Sequence, residues 1–140
     1  MRDELASWGV ANDRLLIAGD AVDLARFDNL VPGEQAKTQF QLPGDKTVIG
    51  YVGRLKTLGM EQGVRALLAA VKQLTDDGQS VYGFIVGGPG ADQQEYEEYA
   101  QSIGLTDDQV HFTGHVGTAL VPAALACLLY TSDAADELLG

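Results

Sequence analysis

Three apolar runs, each closed by a glycine and each followed by a helix pattern or start, set the strongest limit on how this chain can fold. The first is Thr47–Val52 (TVIGYV), bounded by Pro43-Gly44-Asp45 before it and Gly53 after it. The second is Val81–Val86 (VYGFIV), followed by Gly87-Gly88-Pro89-Gly90, and the third is Val110–Thr113 (VHFT), stopped at Gly114. Short apolar runs between turn residues read as buried strands. Between the first two, Val64, Leu67, Leu68, Val71 and Leu74 recur at i, i+3, i+4, i+7 and i+10, one face of a helix. Between the second and third, Tyr96, Tyr99, Ala100 and Ile103 repeat the helical spacing as far as Gly104. A further helix is expected to start near Pro122. Strands alternating with crossovers of this length imply an α/β fold, a Rossmann-like parallel sheet with flanking helices.

Ahead of these runs the pattern is weaker. Met1–Trp8 reads as the end of a helix closed at Gly9, and Leu15–Ala18 as a short strand. Gly19–Gln35 has the turn residues and weak periodicity of a linker.

Totals narrow the function. At 140 residues the chain is at most one ordinary domain, and 46% hydrophobic residues are enough for a core. No apolar stretch reaches the roughly 18 residues that a spanning helix needs. A formal charge of −11 argues against a nucleic-acid surface, which needs clustered Lys and Arg. The single cysteine, Cys127, excludes an internal disulfide and a thiolate-rich metal site. Two histidines, His111 and His115, leave little room for a histidine-built one, so neither a metal nor a cofactor is expected.

In open α/β sheets ligands sit outside the carboxyl ends of the strands. Three loops hold such places: Gly53–Gln62, Gly87–Gly90 and Gly114–Val121. The first carries Arg54 and Lys56 and leads into a helix start, where free N–H groups and the helix dipole favour an anion. A guanidinium there can grip phosphate oxygens through two parallel hydrogen bonds, although a solvated loop arginine is an equally ordinary use of the residue. Gly87–Gly90 (GGPG) is not the dinucleotide fingerprint G-x-G-x-x-G and reads first as a tight turn. His111 and His115 read as packing or surface residues, and Glu95, Glu97 and Glu98 as a solvated acidic face without chemistry.

The segments VIGYVGRLKTLGMEQGVRALLAAVKQL, VYGFIVGGPG and VHFTGHV…VPAALA, in that order, resemble the donor-binding half of retaining glycosyltransferases of the GT-B fold, the glycosyl transferases group 1 family. Asp20–Phe27 (DAVDLARF) is similar to the family's segment between its two domains. The resemblance implies a truncated half of a two-domain fold. Residues 1–44 would then be the end of an N-terminal domain and the linker, and 45–126 part of the donor-binding domain. It further implies a nucleotide-diphosphate sugar as donor and a glycan, lipid-linked sugar or small molecule as acceptor. It places the full-length protein in the cytoplasm, associated peripherally with the inner membrane face. The competing reading is a non-catalytic Rossmann-like nucleotide- or partner-binding module.

By the same resemblance, Arg54 in GRL stands where the family's arginine holds the leaving diphosphate, making it the catalytic candidate. The lysine that should begin the next helix is replaced by Gln62, and Lys56 is the candidate to supply the missing charge. Gly53, Gly87, Thr113, Gly114 and His115 complete the expected substrate-binding set, the last three bordering the base. A Glu-x7-Glu pair is expected after the third helix and is not reached. Cys127–Glu137 (CLLYTSDAADE) is similar, residue for residue, to a reading frame of a sequencing-library adapter, so 127–140 is expected to be an artefactual tail. Such a fragment is expected to transfer no sugar by itself.

Overall fold

The computed structural model describes residues 1–128. Its first segment holds a short helix α1 (Arg2–Ser7), closed by Gly9 at φ +89°, and two single 3-10 turns. The strand expected at Leu15–Ala18 does not form. Among the described residues no strand pairs with it, and Leu16 and Ile17 are exposed. An extended segment without a neighbour leaves its backbone groups to water, so the apolar run alone is insufficient.

Helix α2 (Gly33–Gln39) lies partly inside the stretch that reads as linker. It buries Ala36 completely, and with Phe40 and Leu42 it joins the core. Helix α2 thus shares one core layer with strand residues that follow residue 44, among them Val48 and Phe84.

Strand β1 (Thr47–Val52) leads into a hairpin of β2 (Lys56–Thr57) and β3 (Met60–Glu61), then helix α3 (Val64–Asp76). Strand β4 (Val81–Val86), helix α4 (Gly90–Ser102), strand β5 (Val110–Gly114) and helix α5 (Val121–Ala126) follow, the last with proline in its first turn. The sheet order is β1-β4-β5, all parallel, with Thr47 opposite Val81 and Gly83 opposite Val110. Each of the expected strands and helices from Thr47 onward is present.

Side-chain alternation divides the core into two layers. Ile49, Tyr51, Ile85 and Phe112 point toward α3 and α4, where Val64, Leu68, Val71, Tyr96 and Ala100 meet them. Val48, Val52, Tyr82, Phe84 and Val86 face the opposite layer with Ala36, Ala124 and Cys127. Every residue of central β4 is buried, as a doubly covered parallel strand requires. Complete burial of Phe84 contributes about 1.5–3 kcal/mol. His111, itself exposed, stacks on that ring with centroids 6.2 Å apart, so it is a surface residue that covers Phe84.

The hairpin replaces what reads as an irregular loop. Leu58 (φ +51°) and Gly59 (φ +77°) both take positive φ, the two-residue turn that matches strand twist. Asparagine usually holds the first of these places; leucine there concealed the turn.

Candidate functional site

The three loops leave the sheet at one level because backbone bonds continue past the strands. Gly53 N–H donates to the Val86 carbonyl (2.9 Å), and Gly87 N–H to the Gly114 carbonyl (3.0 Å). A Cβ on Gly87 would lie 1.8 Å from the Gly53 carbonyl oxygen, and one on Gly53 2.8 Å from the Tyr51 hydroxyl oxygen. The Gly87 position therefore requires glycine for close approach of the backbone, whereas at Gly53 the Tyr51 side chain would have to shift.

The segment carrying Arg54 is anchored on both sides. The Tyr51 hydroxyl donates to the Arg54 carbonyl at 2.7 Å. Leu55, the next residue, is fully buried, and the Tyr96 hydroxyl donates to its carbonyl at 3.3 Å. The Lys56 ammonium then pairs with Glu95, whose other oxygen accepts from Arg65 Nη2 at 2.6 Å. The Tyr96 ring lies 5.9 Å from Lys56 Nζ and 5.6 Å from Arg65 Cζ. Hydrogen bonds from Lys56 and then Arg65 hold the Glu95 carboxyl below its ordinary range. The same bonds raise Lys56 and Arg65 above theirs. Glu95 is thus partly exposed but engaged by two cations, unlike the acidic face without partners that was expected of it.

Above this platform opens a cleft of about 650 Å³ at the carboxyl ends of the strands. Gly53, Arg54 and Lys56 line it from one loop, Gly87, Gly88 and Pro89 from the second, and His115, Val116 and Thr118 from the third. Val52, Val86 and Val121 complete an apolar wall. Among the described residues the exposed Arg54 guanidinium makes no ion pair or hydrogen bond. Helix α4 starts directly after Gly88 and Pro89, and no side chain caps its N-terminus. Its dipole and first-turn N–H groups thus stand beside the cleft.

The helix start offered by the sequence is a different one. At α3, Glu61 Oε1 accepts the Arg65 backbone N–H at 2.7 Å, so a carboxylate of the chain already occupies that end. Gln62 lies outside the cleft and donates to the Met60 carbonyl at 3.2 Å. Of the residues expected to bind substrate, Gly53, Arg54, Lys56, Gly87 and His115 share the cleft, whereas Gln62, Thr113 and Gly114 do not line it. Thr113 Oγ1 donates to the Gly114 carbonyl (2.9 Å), and Gly114 acts through its bond from Gly87. Lys56 lines the cleft, but its ammonium is engaged by Glu95 rather than free as a substitute charge. The apolar wall was hidden because its valines read as ordinary strand ends and a helix start.

Among the described residues no group of three or more His, Cys, Asp or Glu side chains could hold a metal ion, and no helix is long and apolar enough to cross a membrane. In sequence, residues 46–134 match the family described as glycosyl transferases group 1. The match continues past Ala126, where the resemblance suggests an end, into residues outside those described. No curated protein matches the chain. In structure, it resembles the crystal structure of a glycosyltransferase from Rickettsia africae ESF-5, with a TM-score of 0.58 at 16% identity. That likeness covers 86% of this chain and 31% of the other, and it establishes the fold. With a family match over more than half of its length, the chain belongs to the glycosyl transferases group 1 family.

Proposed function

We propose that this chain contributes the donor-binding part of a retaining glycosyltransferase that uses a nucleotide-diphosphate sugar. The carrying observation is Arg54: a cation without a carboxylate partner among the described residues, at the mouth of the cleft and on a fixed backbone. In sugar transfer the bond from the anomeric carbon to the diphosphate oxygen breaks, and an acceptor hydroxyl oxygen bonds to that carbon and passes its proton to the departing diphosphate. Negative charge grows on the departing diphosphate. A guanidinium already in place stabilises it without reorganisation, which is usually the largest catalytic term. The α4 N-terminus supplements Arg54 with backbone donors, a contribution that matters more because Gln62 stands in the lysine position. The apolar wall of Val52, Val86, Val116 and Val121 offers a surface for base or ribose.

Titrating the 140-residue chain with uridine, guanosine and adenosine diphosphates, and with their monophosphates, tests this reading. One diphosphate is expected to bind more tightly than its monophosphate and to shift the amide resonances of Gly53, Gly87 and His115. Absence of binding by all three, or binding that leaves those resonances unmoved, would overturn it.

A further inference from the structure

A carboxylate that the proposed reaction does not use lies beneath the site. Glu95, on α4, is in contact with two cations that belong to different elements. Lys56 comes from β2, two residues beyond Arg54, and Arg65 from the first turn of α3. Adjacent Tyr96 is fully buried and bonds to the carbonyl of Leu55, the residue between Arg54 and Lys56. Two consecutive α4 residues therefore grip two consecutive residues of the segment that presents Arg54.

The charge arrangement is specific as well. Glu61 lies 4.0 Å from Arg65 Nε, so Lys56, Arg65, Glu61 and Glu95 compose two cations and two anions. Their net charge is zero. Arg54 remains the one lysine or arginine lining the cleft with no carboxylate partner among the described residues. Glu95 itself is not part of the cleft wall.

We propose that Glu95 is a positioning residue for nucleoside-diphosphate binding: by bridging Lys56 and Arg65 it fixes the Arg54 segment against α4. It rests on the donor-binding reading above. The geometry excludes direct contact of Glu95 with a bound anion, since its oxygens are engaged and a carboxylate would repel phosphate. Its effect on binding passes through Arg54.

The test is a double-mutant cycle on the full chain, with the diphosphate that binds the wild type most tightly as probe. Glu95→Gln keeps the shape and weakens the bridge, and it is expected to lower affinity by about three- to tenfold. Glu95→Asp is expected to recover part of that loss. In an Arg54→Ala background the Glu95→Gln change is expected to have almost no further effect, whereas a purely structural role would lower affinity equally in both. Lys56→Met releases the same anchor from the other side and is expected to reproduce the loss, so the proposal does not depend on one variant folding. Equal affinity of Glu95→Gln and wild type, tighter binding by Glu95→Gln through a freed Lys56, or additive effects with Arg54→Ala would each overturn the positioning role and leave the donor-binding reading standing. A wild type that binds no diphosphate overturns both.

Discussion

The carbonyl oxygen of Gly53 fills the space where a side chain at Gly87 would begin, only 1.8 Å from an ideal Cβ. This contact joins the loops after β1 and β4 and so sets the width of the cleft between them. Gly87→Ala is expected to force the loops apart, with a loss of stability of about 1–3 kcal/mol. Gly90 supplies the contrast, because a Cβ there meets nothing within 4 Å. Gly90→Ala, in the first turn of α4, is expected to be neutral or slightly stabilising. Chemical denaturation of the two variants checks the pair.

Tyr96→Phe isolates the hydrogen bond under the Arg54 segment. The ring is fully buried and its hydroxyl is 3.3 Å from the Leu55 carbonyl, so the change removes a donor and leaves an acceptor in the interior. A loss of about 1 kcal/mol is expected in urea unfolding. No change in the unfolding midpoint would show that the bond contributes nothing.

The Glu95 bridge gives stability a pH dependence of known sign. Its folded-state carboxyl is held below the ordinary value by Lys56 and Arg65, against burial. Its contribution is therefore present above the unfolded carboxylate range and is lost as pH falls through the depressed folded value. Lys56 and Arg65 are shifted upward, with Asp92 also acting on Lys56, Glu61 on Arg65 and the Tyr96 ring on both. The Lys56 contribution is accordingly full below its ordinary range and is lost only as pH rises through its raised value. Melting temperatures of wild type and Glu95→Gln should thus differ at pH 7 and converge as pH falls through the depressed Glu95 value. A difference that is constant down to acid pH would contradict the bridge. All three groups are solvent accessible, so added salt should reduce the difference.

Burial pushes the Cys127 thiol up to about 11, partly offset by Lys37. Little thiolate then exists at neutral pH, and the side chain is only 3% exposed. Reaction with a thiol-specific disulfide reagent at pH 7.5 is expected to be slow in the folded protein and fast in denaturant. Equal rates would place the thiol outside the core.

Much of the parallel α/β architecture was legible because strand and helix periods alternate clearly after Thr47. The i, i+3, i+4 series from Val64 marks the face that α3 buries, and the glycines at 53, 87 and 114 mark the ends of the strands. The segment before Thr47 was less legible. Leu15–Ala18 has strand composition but no partner among the described residues, and α2 contributes only a short apolar face through Ala36. The placement of Arg54 beside a cleft was legible because it follows the carboxyl end of a parallel strand, where such clefts open. The capped α3 terminus was not, since the Glu61 bond depends on the hairpin turn at Leu58-Gly59. Glu95 shares a helix with Glu97 and Glu98, and only the three-dimensional approach of Lys56 and Arg65 separates it from them.

Isothermal titration of the full chain with its preferred nucleoside diphosphate, comparing wild type, Arg54→Ala and Arg54→Lys, tests the role of Arg54 most directly. Charge-assisted hydrogen bonds to the phosphates predict a loss of about 10- to 100-fold for alanine, partly recovered by lysine. Alanine and wild-type proteins that bind the diphosphate equally well would contradict it.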